Sequence, residues 1–109
     1  MEVNKIEERR RFFRFPTNLK CLYYLEGDKE GLNKCNIFNI SYEGLGIKFH
    51  TSDKIKIGLK IHFGIINKWE ITPISVKGIL KWIEDRDNYF VGGIELTKAL
   101  DNITLTKLF

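Results

Sequence analysis

An all-β fold, six antiparallel strands closed into a barrel, follows from three features of this 109-residue sequence. From Leu19 onward apolar residues recur mostly at every second position, the period of a half-buried strand and not of a helix. Clusters of glycine, asparagine and aspartate interrupt that alternation at short intervals, as turns do. Six short strands joined locally leave two exposed edges unless the sheet closes on itself, which favours a barrel. A flexible arginine-rich arm over residues 1–16 is expected before it, and residues 17–109 form the barrel with a short C-terminal helix. The length suits one domain.

The elements follow in order. Leu19, Cys21, Tyr23 and Leu25 share one face of a first strand, and the polar stretch 26–33, with Gly27 and Gly31, is the turn after it. A second strand covers 34–40. After the turn Ser41-Tyr42-Glu43-Gly44, Leu45, Ile47 and Phe49 alternate with Gly46, Lys48 and His50 along a third. Ile55, Ile57, Leu59, Ile61, Phe63 and Ile65 face one way and Lys54, Lys56, Lys60 and His62 the other, placing a fourth strand at about 58–66. Pro73 limits how early the fifth strand can be fully paired, after which Val76, Leu80 and Trp82 keep period two up to Glu84. Asp85-Arg86-Asp87-Asn88 makes a hairpin. The sixth strand, 89–96, contains Gly92-Gly93, a sign of a bulge or a close backbone approach. Thr97 is the expected N-cap of a short helix carrying Leu100, Ile103, Leu105 and Leu108.

Net charge is +4, which by itself supports only a loose preference for anionic partners. Its distribution is more specific. Four of the five arginines, Arg9, Arg10, Arg11 and Arg14, fall within six positions, Arg86 being the other, and elsewhere the chain uses lysine. Arginine's planar fork binds a phosphate or a guanine edge bidentately and stacks on rings, so the cluster is a candidate recognition element. A solvated basic arm is the plain alternative. No stretch reaches the roughly 18 uninterrupted apolar residues of a membrane span, and the charged N-terminus lacks a signal-peptide core, so no membrane insertion and a cytoplasmic location are expected. Cys21 and Cys35 fit neither a metal spacing nor a disulfide framework and read as small apolar packing residues. The Asn39-x-Ser41 and Asn102-x-Thr104 sequons carry no weight without a secretory signal.

Two motifs stand out together: Arg10-Arg11-Phe12-Phe13-Arg14 followed by Phe15-Pro16, and Asn39-Ile40-Ser41-Tyr42-Glu43-Gly44. The pair resembles the signature of the PilZ domain family, Arg-x-x-x-Arg and then Asp/Asn-x-Ser-x-x-Gly about 25 residues later. Leu45-Gly46-Ile47, Leu80-x-Trp82 and the closing Gly93-Ile94-Glu95-Leu96 extend the likeness over roughly residues 7 to 100. The resemblance implies a PilZ-type barrel that binds cyclic di-GMP, with Arg10 and Arg14 on guanine and phosphate, Asn39 and Ser41 on a guanine and a phosphate, and Gly44 giving a positive φ or bringing backbone N–H close to the ligand. Arginine suits such a ligand, because it forks onto guanine O6 and N7 and stacks on a base. Asn39 stands where aspartate is frequent and Glu43 where a second glycine often sits; an amide oxygen accepts from guanine N–H groups without the carboxylate's charge.

Arg9 and Arg11 are additional candidates. Arg9 precedes the motif at a position that in the family influences whether one ligand or a stacked pair binds; Arg11 is less informative, and Phe12 or Phe13 reads best as packing the arm onto the barrel. Trp82 is an additional candidate for base stacking, although an apolar strand position reads first as core. No enzyme is expected: His50 and His62 are isolated, and Glu84, Asp85 and Asp87 lack the pattern of an EF-hand loop. No cofactor is expected besides the ligand. The implied partners are cyclic di-GMP and an effector protein controlling motility, exopolysaccharide or biofilm formation, without nucleic acid. Two alternatives stay open: a small basic barrel binding single-stranded nucleic acid, and a PilZ-like protein-interaction module without nucleotide binding.

Overall fold

The computed structural model describes residues 13–28, 31–50 and 55–108. Six antiparallel strands, β1 (Phe15–Leu25), β2 (Asn33–Ile40), β3 (Gly44–Phe49), β4 (Lys60–Ile65), β5 (Ile74–Asp85) and β6 (Phe90–Leu96), close into a barrel in the order β1-β2-β3-β6-β5-β4, and a short helix α1 (Asn102–Lys107) follows. The expected barrel and C-terminal helix are therefore present. β1 begins at Phe15, so Phe15 and Pro16, assigned from the sequence to the arm, pair with Ile40 and Asn39 of β2.

The alternation read from the sequence fills the interior. Cys21 and Tyr23 of β1, Ile37 of β2, Leu45, Ile47 and Phe49 of β3, Ile61, Phe63 and Ile65 of β4, Leu80 of β5 and Ile94 of β6 are all buried. Each large apolar side chain so placed contributes roughly 1.5–3 kcal/mol relative to exposure. Tyr23 meets Phe49 edge to face, with ring centroids 5.2 Å apart, an arrangement the ring quadrupoles favour. Cys21 and Cys35 lie opposite each other on β1 and β2, both free and buried. A hydrogen bond with Cys21 and burial push the Cys35 thiol up, which keeps it protonated and inert.

Burial raises the Tyr23 hydroxyl from its ordinary value of 10.0 to about 12, with the neighbouring Cys35 adding to the effect. The folded chain thus holds the phenol proton more tightly than the unfolded chain. Stability from this group is complete below pH 10 and is lost as pH rises from about 10 to about 12. Denaturant unfolding at pH 9 and pH 11.5 should show a larger fall for the parent protein than for Tyr23→Phe.

Three register shifts break the period of two: on β1 between Pro16 and Leu19, on β2 between Ile37 and Asn39, and on β5 between Leu80 and Trp82. Each inserts residues without opposite partners, and an odd insertion turns all later side chains to the other face. Lys81 is the extra residue on β5. Leu80 therefore points inward while Trp82 lies on the outer face, 40% exposed, which corrects the core reading of this tryptophan. The reading of Ile57 also changes, because the chain turns through Gly58 at φ +93° before β4 starts, leaving Ile57 exposed.

The helix is capped differently from the expectation. Asp101 is the N-cap, its Oδ1 accepting from the Thr104 N–H at 2.6 Å, and that bond holds its carboxyl below the usual range. Thr97 instead directs both its N–H and its hydroxyl to the Lys77 carbonyl. Leu100, Leu105 and Leu108 are buried against the barrel core. This segment is also fastened to the β2–β3 turn: Leu96 N–H donates to Glu43 O at 2.8 Å, Leu100 N–H to Tyr42 O at 2.7 Å, and the Tyr42 hydroxyl to Asn102 Oδ1 at 2.5 Å. Among the described residues no helix is long and apolar enough to cross a membrane.

Candidate ligand-binding site

The turn between β2 and β3 is built by its serine. Ser41 is only 5% exposed, and its Oγ accepts from Gly44 N–H at 3.0 Å and Glu43 N–H at 3.3 Å. Ser41 N–H in turn donates to Gly44 O at 2.9 Å. A serine oxygen thus does what a backbone carbonyl would do in a tighter turn, and the loop is held rigid without burying an unpaired N–H.

Against this turn lies Arg14. Its Nη1 donates to Asn39 Oδ1 at 3.1 Å, joining residues 25 apart in sequence. Its Nη2 passes over Gly44: a Cβ built there would lie 3.3 Å from Nη2, 2.9 Å from Ile94 O and 3.7 Å from Ser41 Oγ. Four motif residues, Arg14, Asn39, Ser41 and Gly44, therefore converge on one patch. Gly44 is required for space and not for a left-handed backbone, since only Gly27 and Gly58 among the described glycines have positive φ. The expectation of a positive φ therefore does not hold for Gly44.

Arg9, Arg10 and Arg11 fall outside the described residues, as does Phe12. Phe13 is 85% exposed, so of the two phenylalanines, either of which is expected to pack the arm onto the barrel, Phe13 is not the one. His50 is exposed, and His62 sits on the outer face of β4, stacked on Tyr24 at 4.6 Å and hydrogen-bonded to Glu26. Among the described residues no group of three or more histidine, cysteine, aspartate or glutamate side chains is placed to hold a metal ion.

Beyond the motifs, register aligns a row of residues across four strands. Asn39 pairs with Gly46, Gly46 with Gly93, and Gly93 with Trp82. The two central positions carry no side chain, so their neighbours fold over them. A Cβ on Gly93 would lie 2.0 Å from Trp82 Nε1, and one on Gly46 would lie 2.5 Å from Asn39 Oδ1 and 2.8 Å from Phe38 Cζ. The indole thus rests on Gly93, while Phe38 and Asn39 rest on Gly46. Sequence reasoning flagged a close approach at Gly93 but missed Gly46 and Phe38. The signal was available in Ile37 and Ile40, two buried residues three apart that period two cannot both place inside.

Fold and site together define a small closed β-barrel with an N-terminal arginine seated on the turn between its second and third strands. The PilZ domain model matches residues 8–108, and the chain belongs to the PilZ domain family. Among solved structures it is similar to Bacillus subtilis Inhibitor of motility (MotI/DgrA), at 14% identity and a TM-score of 0.67, covering 92% of this chain and 48% of that one. The chain therefore spans about half the length of that protein. It is also similar to the PilZ domain of YcgR from Escherichia coli, described with c-di-GMP, at 16% identity and a TM-score of 0.63, covering 92% of this chain and 86% of that one. At such identities the likeness speaks for the fold. A comparison with curated protein sequences gives no match.

Proposed function

We propose that this chain is a receptor domain for cyclic di-GMP, acting as an adaptor and not as an enzyme. The observation that carries the reading is the Arg14–Asn39 hydrogen bond over Gly44, which unites the two halves of the family's binding signature in one place. Membership of the PilZ family and the likeness to YcgR's c-di-GMP-bound domain support it. In this reading Arg10 and Arg14 supply forked donors for guanine edges and phosphates, and Asn39 accepts from a guanine. Ser41 and Gly44 keep the turn low and its backbone close to the ligand. Trp82, seated on Gly93 on the outer face, offers a ring for stacking, and Arg9 and Arg11 add positive charge next to Arg10.

The arm ahead of β1 is drawn across the barrel end when ligand binds, and the surface of arm, ligand and barrel then engages or releases an effector protein in the cytoplasm. The output is control of motility, exopolysaccharide or biofilm formation.

Titration calorimetry with cyclic di-GMP, set against GTP, cyclic GMP and a short single-stranded oligonucleotide, tests the reading. Saturable binding of cyclic di-GMP at micromolar concentration or below, and of none of the others at comparable strength, is expected. No binding of cyclic di-GMP would overturn it, and tight, steeply salt-dependent binding of the oligonucleotide would put a nucleic-acid role in its place.

A further inference from the structure

We infer that Phe38 is a base-stacking residue of this site, an addition that rests on the cyclic di-GMP reading. Phe38 is the residue just before the second motif, and the β2 register gives it an unusual position. Ile37 pairs with Ile47 and Asn39 with Gly46, so Phe38 and Asn39 together oppose one residue of β3. In a regular strand Phe38 and Asn39 would point to opposite faces. Here both reach the outer side of Gly46, with Phe38 Cζ and Asn39 Oδ1 each closer than 3 Å to the place a Cβ would occupy.

The bulge thus puts an aromatic ring next to the amide that Arg14 holds. The ring is 37% exposed in a region where interior space is already filled by Ile37, Ile40 and Leu45, each 0% exposed. It is not needed to close the core. Across the Gly46–Gly93 pair the Trp82 indole lies on the same face, so two aromatic side chains flank a glycine floor beside a guanidinium and an amide. A flat heterocycle whose edge is hydrogen-bonded by Arg14 and Asn39 would present its face to Phe38. A purine fits that chemistry better than a pyrimidine, because its two fused rings extend from the bonded edge over the neighbouring ring and stack more strongly.

The test compares the parent protein with Phe38→Leu, which keeps apolar bulk and removes the π face, and Phe38→Trp, which enlarges it. Cyclic di-GMP is the ligand for calorimetry, and the proton shift of guanine H8 is followed by NMR. Base–aromatic stacking predicts a loss of about 10-fold or more in affinity for Phe38→Leu, with affinity kept or improved for Phe38→Trp. An upfield ring-current shift of H8 in the parent complex should shrink in Phe38→Leu and persist in Phe38→Trp, a readout that a purely structural role for the side chain would not move. Melting curves of the ligand-free variants should lie within a few degrees of the parent.

If the parent binds cyclic di-GMP and Phe38→Leu binds it equally well with the same H8 shift, the inference about Phe38 is wrong and the receptor reading stands. If the parent does not bind cyclic di-GMP, both are wrong. If Phe38→Leu unfolds well below the parent temperature and Phe38→Trp does not restore the H8 shift, Phe38 is a packing residue and the inference is overturned.

Discussion

Replacing Arg14 by alanine is expected to remove cyclic di-GMP binding, by on the order of 100-fold or more, while barely changing the ligand-free fold. Hydrogen bonds from a charged donor contribute about 1.5–3 kcal/mol each, and a forked guanidinium makes two of them to a guanine edge or a phosphate. In the ligand-free barrel the same side chain donates to Asn39 at a partly buried position, a contact at the low end of that range, about 1.5 kcal/mol. Loss of that bond lowers the melting temperature by about 5–10 °C and leaves the barrel folded. Arg14→Lys sharpens the result: charge survives and the fork does not, so an intermediate loss points to bidentate recognition. Calorimetry and thermal melts on the three proteins decide the matter, and a collapse of the ligand-free Arg14→Ala protein would show that the arginine serves the fold.

The second large effect runs the other way, against stability. Phe49 is completely buried on β3, packed edge to face on Tyr23 and touching the space that Gly92 leaves open on β6. Phe49→Ala removes a ring from a region where Gly92 and Leu80 cannot collapse into the gap without bending two strands. Such truncations cost about 3–5 kcal/mol, which for a domain of this size lowers the melting temperature on the order of 20 °C. Phe49→Leu should recover more than half of that loss. A melting temperature within about 5 °C of the parent for Phe49→Ala would mean that the barrel repacks, and that its interior is less rigid than the edge-to-face pair suggests.

Much of this was legible in the sequence, for reasons that also explain what was not. The inward faces of β1, β3 and β4 were readable because they are regular and buried on one side, so hydrophobic pattern and pleat agree at Cys21, Ile47 and Phe63. Arg14, Asn39, Ser41 and Gly44 were readable because their spacing resembles a family signature. What was hidden was every consequence of an inserted residue. Lys81 reverses the face of Trp82, and the bulge at Phe38 and Asn39 creates an aromatic position that period two assigns to no role. The choice of Asp101 over Thr97 as helix cap was also hidden, since it depends on Thr97 being claimed by the Lys77 carbonyl across the sheet. Local propensity cannot see a partner 20 residues away.

The fastening of the β2–β3 turn to the C-terminal segment makes the two ends of one thermodynamic cycle. Tyr42 and Glu43 lie between Asn39 and Gly44 in the chain, and their carbonyls and the Tyr42 hydroxyl hold Leu96, Leu100 and Asn102. A molecule whose affinity depends on how that turn is set will also change how firmly α1 is held. Reciprocity then requires that a protein gripping α1 more tightly in one setting of the turn alters the affinity of the turn's own ligand by the same factor. Effector and messenger would each titrate the other, and the apparent affinity measured on the isolated chain would be one limit of a range fixed by how much effector is present.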